Sequence, residues 1–240
     1  MSFLSFYNDH HGKSNDEIIK LIQTAKWEEA DFASRTDPLA ICWKVKVDDF
    51  YDGQIASKVL PVHIACQQQP PVSYIRTLHE IHQQGFFTAE SAYKRLPLHI
   101  ACMSKAPTDT ISEIIQLCKE ACSKKDALGR LPIHYACKSP TMEPVVALLL
   151  QQYPGSANVA DKQGFLPLHV ACRCGLSVST IKALVAAAPG TVETKTKKGT
   201  TPFTCAKMTK VSHKEQILEI LIRGKTDFSM TTDSTTDSQL

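Results

Sequence analysis

LPVHIAC at Leu60–Cys66 returns as LPLHIAC at Leu96–Cys102, LPIHYAC at Leu131–Cys137 and LPLHVAC at Leu166–Cys172, and a weaker copy, TPFTCAK, occupies Thr201–Lys207. Pro61, Pro97, Pro132, Pro167 and Pro202 are spaced 36, 35, 35 and 35 residues apart. A fixed period of this size marks a solenoid, in which each unit buries its apolar faces only against its neighbours. Proline suits the first position of a helix, where its fixed φ helps and its missing N–H is not needed. The Leu before it is pushed to extended geometry, which starts the helix sharply.

Each copy predicts two helices and a turn. In copy two the second helix carries Ile111, Ile114, Ile115, Cys118 and Cys122, and in copy four Val178, Ile181, Leu184, Val185 and Ala188. Both sets fall on one helical face. Pro154-Gly155 and Pro189-Gly190 stop second helices, and DALG at Asp126 and DKQG at Asp161 are turn sequences.

These copies resemble the ankyrin repeats, whose pattern is D-x-x-G-x-T-P-L-H-x-A. DALGRLPIHYA (Asp126–Ala136) and DKQGFLPLHVA (Asp161–Ala171) match it closely, and KGTTPF (Lys198–Phe203) in part. The resemblance covers about Val59–Gly224 and implies an all-α repeat solenoid: stacked helix–turn–helix units with short β-hairpin fingers. One departure carries a consequence. The family's Thr, which caps the first helix and bonds the motif His, is Leu60, Leu96, Leu131 and Leu166 here, and only Thr201 keeps it. The histidines are therefore expected to bond neighbouring backbone.

The ends differ from the middle. Residues 1–13 are expected to be a flexible N-terminus. Residues 14–59 read as an N-terminal cap: a Ser14–Glu17 capping box, a helix carrying Ile18, Ile19, Ile22 and Ala25, a second helix near Trp27–Ser34, and an elongated hairpin over residues 40–59 with a strand from Ile41 to Val47. Five repeats fill residues 60–224. Lys225–Leu240, dominated by Ser, Thr and Asp, is expected to be a disordered tail.

Composition excludes several classes. The chain has 240 residues, 43% apolar, with 27 Lys+Arg against 24 Asp+Glu, a formal charge of +3. That balance is too mild to mark a nucleic-acid binder. No apolar run approaches the ~20 residues of a spanning helix. The N-terminus lacks the basic start and apolar stretch of a signal peptide. Nine cysteines, an odd count, suit free thiols in a reducing compartment, hence an intracellular and cytoplasmic location, with the nucleus also allowed.

Chemistry is sparse. His63/Cys66, His99/Cys102, His134/Cys137 and His169/Cys172 are i, i+3 pairs. A zinc site needs about four donors on one ion, and pairs on successive helices about 8–10 Å apart form a ladder instead. His79-Glu80-Ile81-His82 has one residue too few for H-E-x-x-H, and no phosphate-binding glycine loop is present. Neither cofactor nor metal nor enzyme activity is expected.

The resemblance implies a protein-binding scaffold that uses a concave face of finger tips and first helices. Carried over position by position, that face includes Tyr93, Arg95 and Met103 from copy two, and Leu128, Arg130 and Lys138 from copy three. Copy four adds Lys162, Gln163, Phe165 and Arg173, and copy five Lys197 and Lys198. Lys and Arg recur among the transferred positions and Asp and Glu are missing, which predicts an acidic protein partner. A nucleic acid or anionic membrane surface is the rival. Asn158, three residues before Asp161, matches the offset at which the family can be hydroxylated.

Overall fold

The computed structural model describes residues 15–51 and 55–233, with side chains through residue 224. It divides into two compact units, residues 1–127 and 128–240. The expected flexible segment 1–13, Ser14 of the capping box and the hairpin tip at 52–54 lie outside the described residues.

Unit 1 opens with helix α1, described over residues 15–23, whose Ile18, Ile19 and Ile22 are buried. Helix α2 (Trp27–Thr36) follows. Asn15 at the head of α1 donates Nδ2 to the Ala40 carbonyl at 2.7 Å, which fixes the next segment. That segment is a 3-10 turn, Ala40–Cys42, so the strand begins at Val45 rather than at the expected Ile41. Ala40 and Ile41 are both buried, and consecutive burial fits a turn against the core, not a half-exposed strand. Strand β1 (Val45–Tyr51) pairs antiparallel with β2 (Ile55–Val59), Val45 opposite Val59. This is the single sheet among the described residues. The later fingers are hydrogen-bonded turns, not the short β-hairpins expected.

Two repeats complete unit 1. They are α3 (Pro61–Gln67) with α4 (Val72–Ile81), and α5 (Pro97–Met103) with α6 (Thr108–Leu117). The first helices α3 and α5 pack side by side, as do α2, α4 and α6. Helix α6 stops at Leu117; Cys118 caps it and Cys122 lies in a following 3-10 turn, so both leave the helix expected of them while staying buried.

Unit 2 repeats the scheme: α7 (Pro132–Ala136) with α8 (Glu143–Gln152), α9 (Pro167–Cys174) with α10 (Val178–Ala187), and α11 (Pro202–Met208) with α12 (Lys214–Asp233). First helices α7, α9 and α11 form one row, and α8, α10 and α12 the other. Helix α12 continues to Asp233, past Lys225, where the sequence reading begins the tail; residues 234–240 are outside the described set.

The motif explains the packing. Every first helix has its Pro at the first position and the preceding Leu or Thr extended, with ψ near 160°. Leu98, Ile100, Ala101, Cys102 and their equivalents in the first, third and fourth copies are essentially inaccessible. Truncating such a Leu to Ala costs about 2–5 kcal/mol.

Candidate functional site: fingers and first-helix ends

The motif histidines build the frame. His63, His99, His134 and His169 each accept, at Nδ1, the N–H of the Leu three residues earlier, at 3.1–3.2 Å. An accepting Nδ1 leaves the proton on Nε2, which donates outward. His63 Nε2 donates to the Thr88 carbonyl at 2.9 Å, His134 Nε2 to Phe165 at 3.1 Å, and His169 Nε2 to Thr194 and Thr200. The expected backbone bonding in place of the lost Thr is therefore present. Where Thr remains, Thr201 Oγ1 caps α11 by accepting the Thr204 N–H. Burial lowers the His63 and His134 pKa values to about 4, so both rings are neutral at pH 7.

Both ring nitrogens of His63, His134 and His169 are thus occupied, and burial pushes the Cys66, Cys102 and Cys172 thiols up. All nine cysteines are free. Among the described residues no three His, Cys, Asp or Glu side chains converge in a way that could hold a metal ion. No helix among them is long and apolar enough to cross a membrane.

Three of the fingers close on an acceptor side chain. In unit 2, Asp161 accepts the N–H groups of Gln163 and Phe165 at 2.9 Å, and Thr196 Oγ1 does the same for Thr200. In copy two Glu90 takes this role. It is completely buried and accepts from Ser57 Oγ and from the N–H groups of Ala92, Tyr93 and Arg95. Burial alone would raise the Glu90 pKa, but the Ser57 hydroxyl and the three N–H groups outweigh it and hold the carboxyl below its usual range. Sequence reading missed Glu90, although the longer 36-residue step from Pro61 to Pro97 was its signal. Neighbouring fingers are joined by backbone bonds: Ser91 N–H to the Lys58 carbonyl and Ala127 to Tyr93 in unit 1, Lys162 to Leu128 and Lys197 to Gln163 in unit 2.

The transferred binding positions divide accordingly. Arg95 is a correction: only 6% exposed, it lies 3.5 Å from Asp126, with its guanidinium over the rings of Tyr93 (4.4 Å) and Tyr51 (4.8 Å). Tyr93, half-buried, packs edge-on against Tyr51. Both are parts of the finger itself, and in unit 1 only half-buried Met103 remains of the transferred set as a group outside that cluster. Arg130 is likewise held, with Nε 3.1 Å from buried Asp161. A positional transfer could not show these pairs, because each acid belongs to the next finger.

In unit 2 the others face solvent. Lys162, Gln163, Lys197 and Lys198 are exposed on the fingers, Leu128 half so. Exposed Lys138 lies 4.8 Å from the Tyr135 ring centre, and exposed Arg173 5.2 Å from that of half-buried Phe165. Lys207, which the transfer omitted, stands 4.9 Å from the Phe203 ring centre. Asn158 is exposed at the end of the 3-10 turn Pro154–Asn158.

Residues 98–192 match the family model for ankyrin repeats, in three copies. That stretch of the chain is therefore built of ankyrin repeats, and the mostly helical structure fits a repeat fold. No curated protein matches the chain. Ankyrin repeats are generally protein–protein interaction modules and are typically non-enzymatic.

Proposed function

We propose that this chain is a non-catalytic interaction module that binds an acidic protein partner through the fingers and first-helix ends of unit 2. One observation carries the reading. Lys138, Lys162, Arg173, Lys197, Lys198 and Lys207 are all exposed there, while the single acid of those fingers and first helices, Asp161, is buried against Arg130. A surface of one sign focuses its field on partners of the other and speeds encounter. Phe165 and Leu128 lie among the charges and supply apolar contact. The nine free thiols favour a reducing compartment, the cytoplasm or nucleus. Hydroxylation of exposed Asn158 is compatible with this surface but is not needed by it.

Affinity capture from native extract, with and without nuclease and across a salt series, tests the reading. Acidic proteins should be retained after nuclease and released by salt. Charge reversal at Arg173 or Lys162 should weaken capture about tenfold, and reversal at Lys20 or Lys26 should not. Capture that vanishes with nuclease would favour the rival, a nucleic-acid binder. Transfer to anionic vesicles would favour a membrane surface.

A further inference from the structure

A solenoid unit buries its faces only against its neighbours, and terminal units ordinarily turn a polar face outward. Both terminal pairs of this chain depart from that rule. Pro202 is followed by Phe203, as Pro97, Pro132 and Pro167 are followed by Leu98, Ile133 and Leu168. Those three are at most 1% exposed, whereas Phe203 is only half-buried. With Leu221 and Ile222 of α12 it lines a groove of about 460 Å³, and Ile222 is 53% exposed. Every residue of that groove falls within 192–222, in the last copy and the turn before it. Glu193 and Lys195 border the groove, and Lys207 stands 4.9 Å from the Phe203 ring centre.

The first pair of unit 1 carries the counterpart. Between α1 and α2 lies a groove of about 590 Å³ lined by Leu21 and Phe32, and Phe32 is 74% exposed. The carboxylates of Glu17, Glu28, Glu29 and Asp37 line it too, and no Lys or Arg does. Lys26, outside the groove, pairs with Glu29 at 3.2 Å. The surroundings of the two grooves have opposite sign. Residues 15–37 hold six acids and three Lys or Arg, and residues 193–224 hold seven Lys or Arg and three acids.

We infer that copies of this chain associate head to tail, the α11–α12 groove of one against the α1–α2 groove of the next. A second copy is the occupant because each molecule supplies both halves, apolar at the centre and opposite in charge around it. Pairing of like ends is opposed: two α1–α2 grooves face to face would set carboxylates against carboxylates. Phe32 of one copy enters beside Phe203 and Ile222 of the other, with Lys195 and Lys207 toward Glu17 and Glu28. A contact between two different surfaces leaves one of each free, so assembly continues as an open chain unless it closes into a ring. Lys162 and Arg173, which the acidic-partner reading invokes, take no part.

Sedimentation velocity of the full chain over a concentration series tests the contact. The mean mass should rise past that of a dimer as concentration rises, and added salt should lower it. Phe32→Glu puts a carboxylate where the apolar ring inserts, and Ile222→Glu does the same in the other groove. Each variant alone should sediment as a monomer, because each lacks one of the two faces. Both sites are exposed, so the fold should persist, and an unchanged circular dichroism spectrum checks it. In a mixture, the intact α11–α12 groove of Phe32→Glu meets the intact α1–α2 groove of Ile222→Glu. The mixture should therefore form a dimer and stop there. Glu28→Lys should weaken association about tenfold, and Lys162→Glu should leave it unchanged. A chain that stays monomeric at every concentration overturns the inference. So does either variant self-associating alone, which would mean a contact between like ends, and so does a mixture that stays monomeric. Each of these outcomes leaves the acidic-partner reading standing, because capture through Lys162 and Arg173 is measured separately.

Discussion

The finger before α5 is closed by Glu90, whose carboxylate spans five residues to the Arg95 N–H; the finger before α9 is closed by Asp161, which spans four to Phe165. The longer loop carries the longer side chain. Its φ-positive position also differs: Lys94, at φ 57°, stands where the other fingers have Gly129, Gly164 and Gly199 at 76–85°. The motif thus demands a carboxylate or hydroxyl acceptor at a set reach, and one residue in the left-handed region. It does not demand Asp-x-x-Gly. Copy two meets the same requirements with an inserted residue, one more methylene and a strained lysine.

Breaking the two acceptors should separate the fingers most. Glu90→Ala strands the Ser57 hydroxyl and three backbone N–H groups in a fully buried site, and unfolding in urea should show a loss of at least ~3 kcal/mol. Asp161→Ala should cost about 2 kcal/mol, because Arg130 can still reach water. A smaller loss at Glu90 than at Asp161 would refute its role as the buried hub.

Acid should weaken both units through their histidines. The folded pKa values of His63 and His134 are about 4, below the ordinary value of 6.5, so the unfolded chain binds more protons between these limits. Stability is then full above pH 6.5 and falls as pH drops toward 4. By pH 5 each ring should have cost about 2 kcal/mol, while most carboxylates remain ionised in both states. Denaturation midpoints that do not move between pH 7 and pH 5 would exclude neutral buried rings.

The left-handed position gives the smallest and most pointed contrast. Gly164→Ala should destabilise by about 1–2 kcal/mol: its φ is +85°, and a Cβ would lie 3.0 Å from Lys197 N and Thr196 Cα. Lys94→Gly should instead raise the thermal midpoint by a degree or several, worth about 0.5–1 kcal/mol. A destabilised Lys94→Gly would mean that the lysine side chain contributes more than its backbone costs.

The proline starts, the paired helices and the inward bonding of the histidines were legible because each depends on residues within one copy. What escaped depends on residues one finger away. Arg95 and Arg130 were placed on a binding face by position, yet Asp126 and Asp161 of the following fingers hold them. Ile41–Val47 alternates like a strand, but burial of Ala40 and Ile41 under the Asn15 bond turns its start into a 3-10 turn. Lys207 fell outside the transferred positions because copy five brings its cation one residue early.

The outward bonds of His63, His134 and His169 end on main-chain oxygens: Thr88, Phe165, and Thr194 with Thr200. A peptide carbonyl is offered by any residue, so this joint places no demand on the identity of the neighbour's side chain. Gene duplication of an interior copy would hand the newcomer a working joint on the first attempt, before any compensating mutation. Copy five has Thr204 at the histidine position and offers no such arm, so growth of the array by duplication is favoured inside the row and not beyond it.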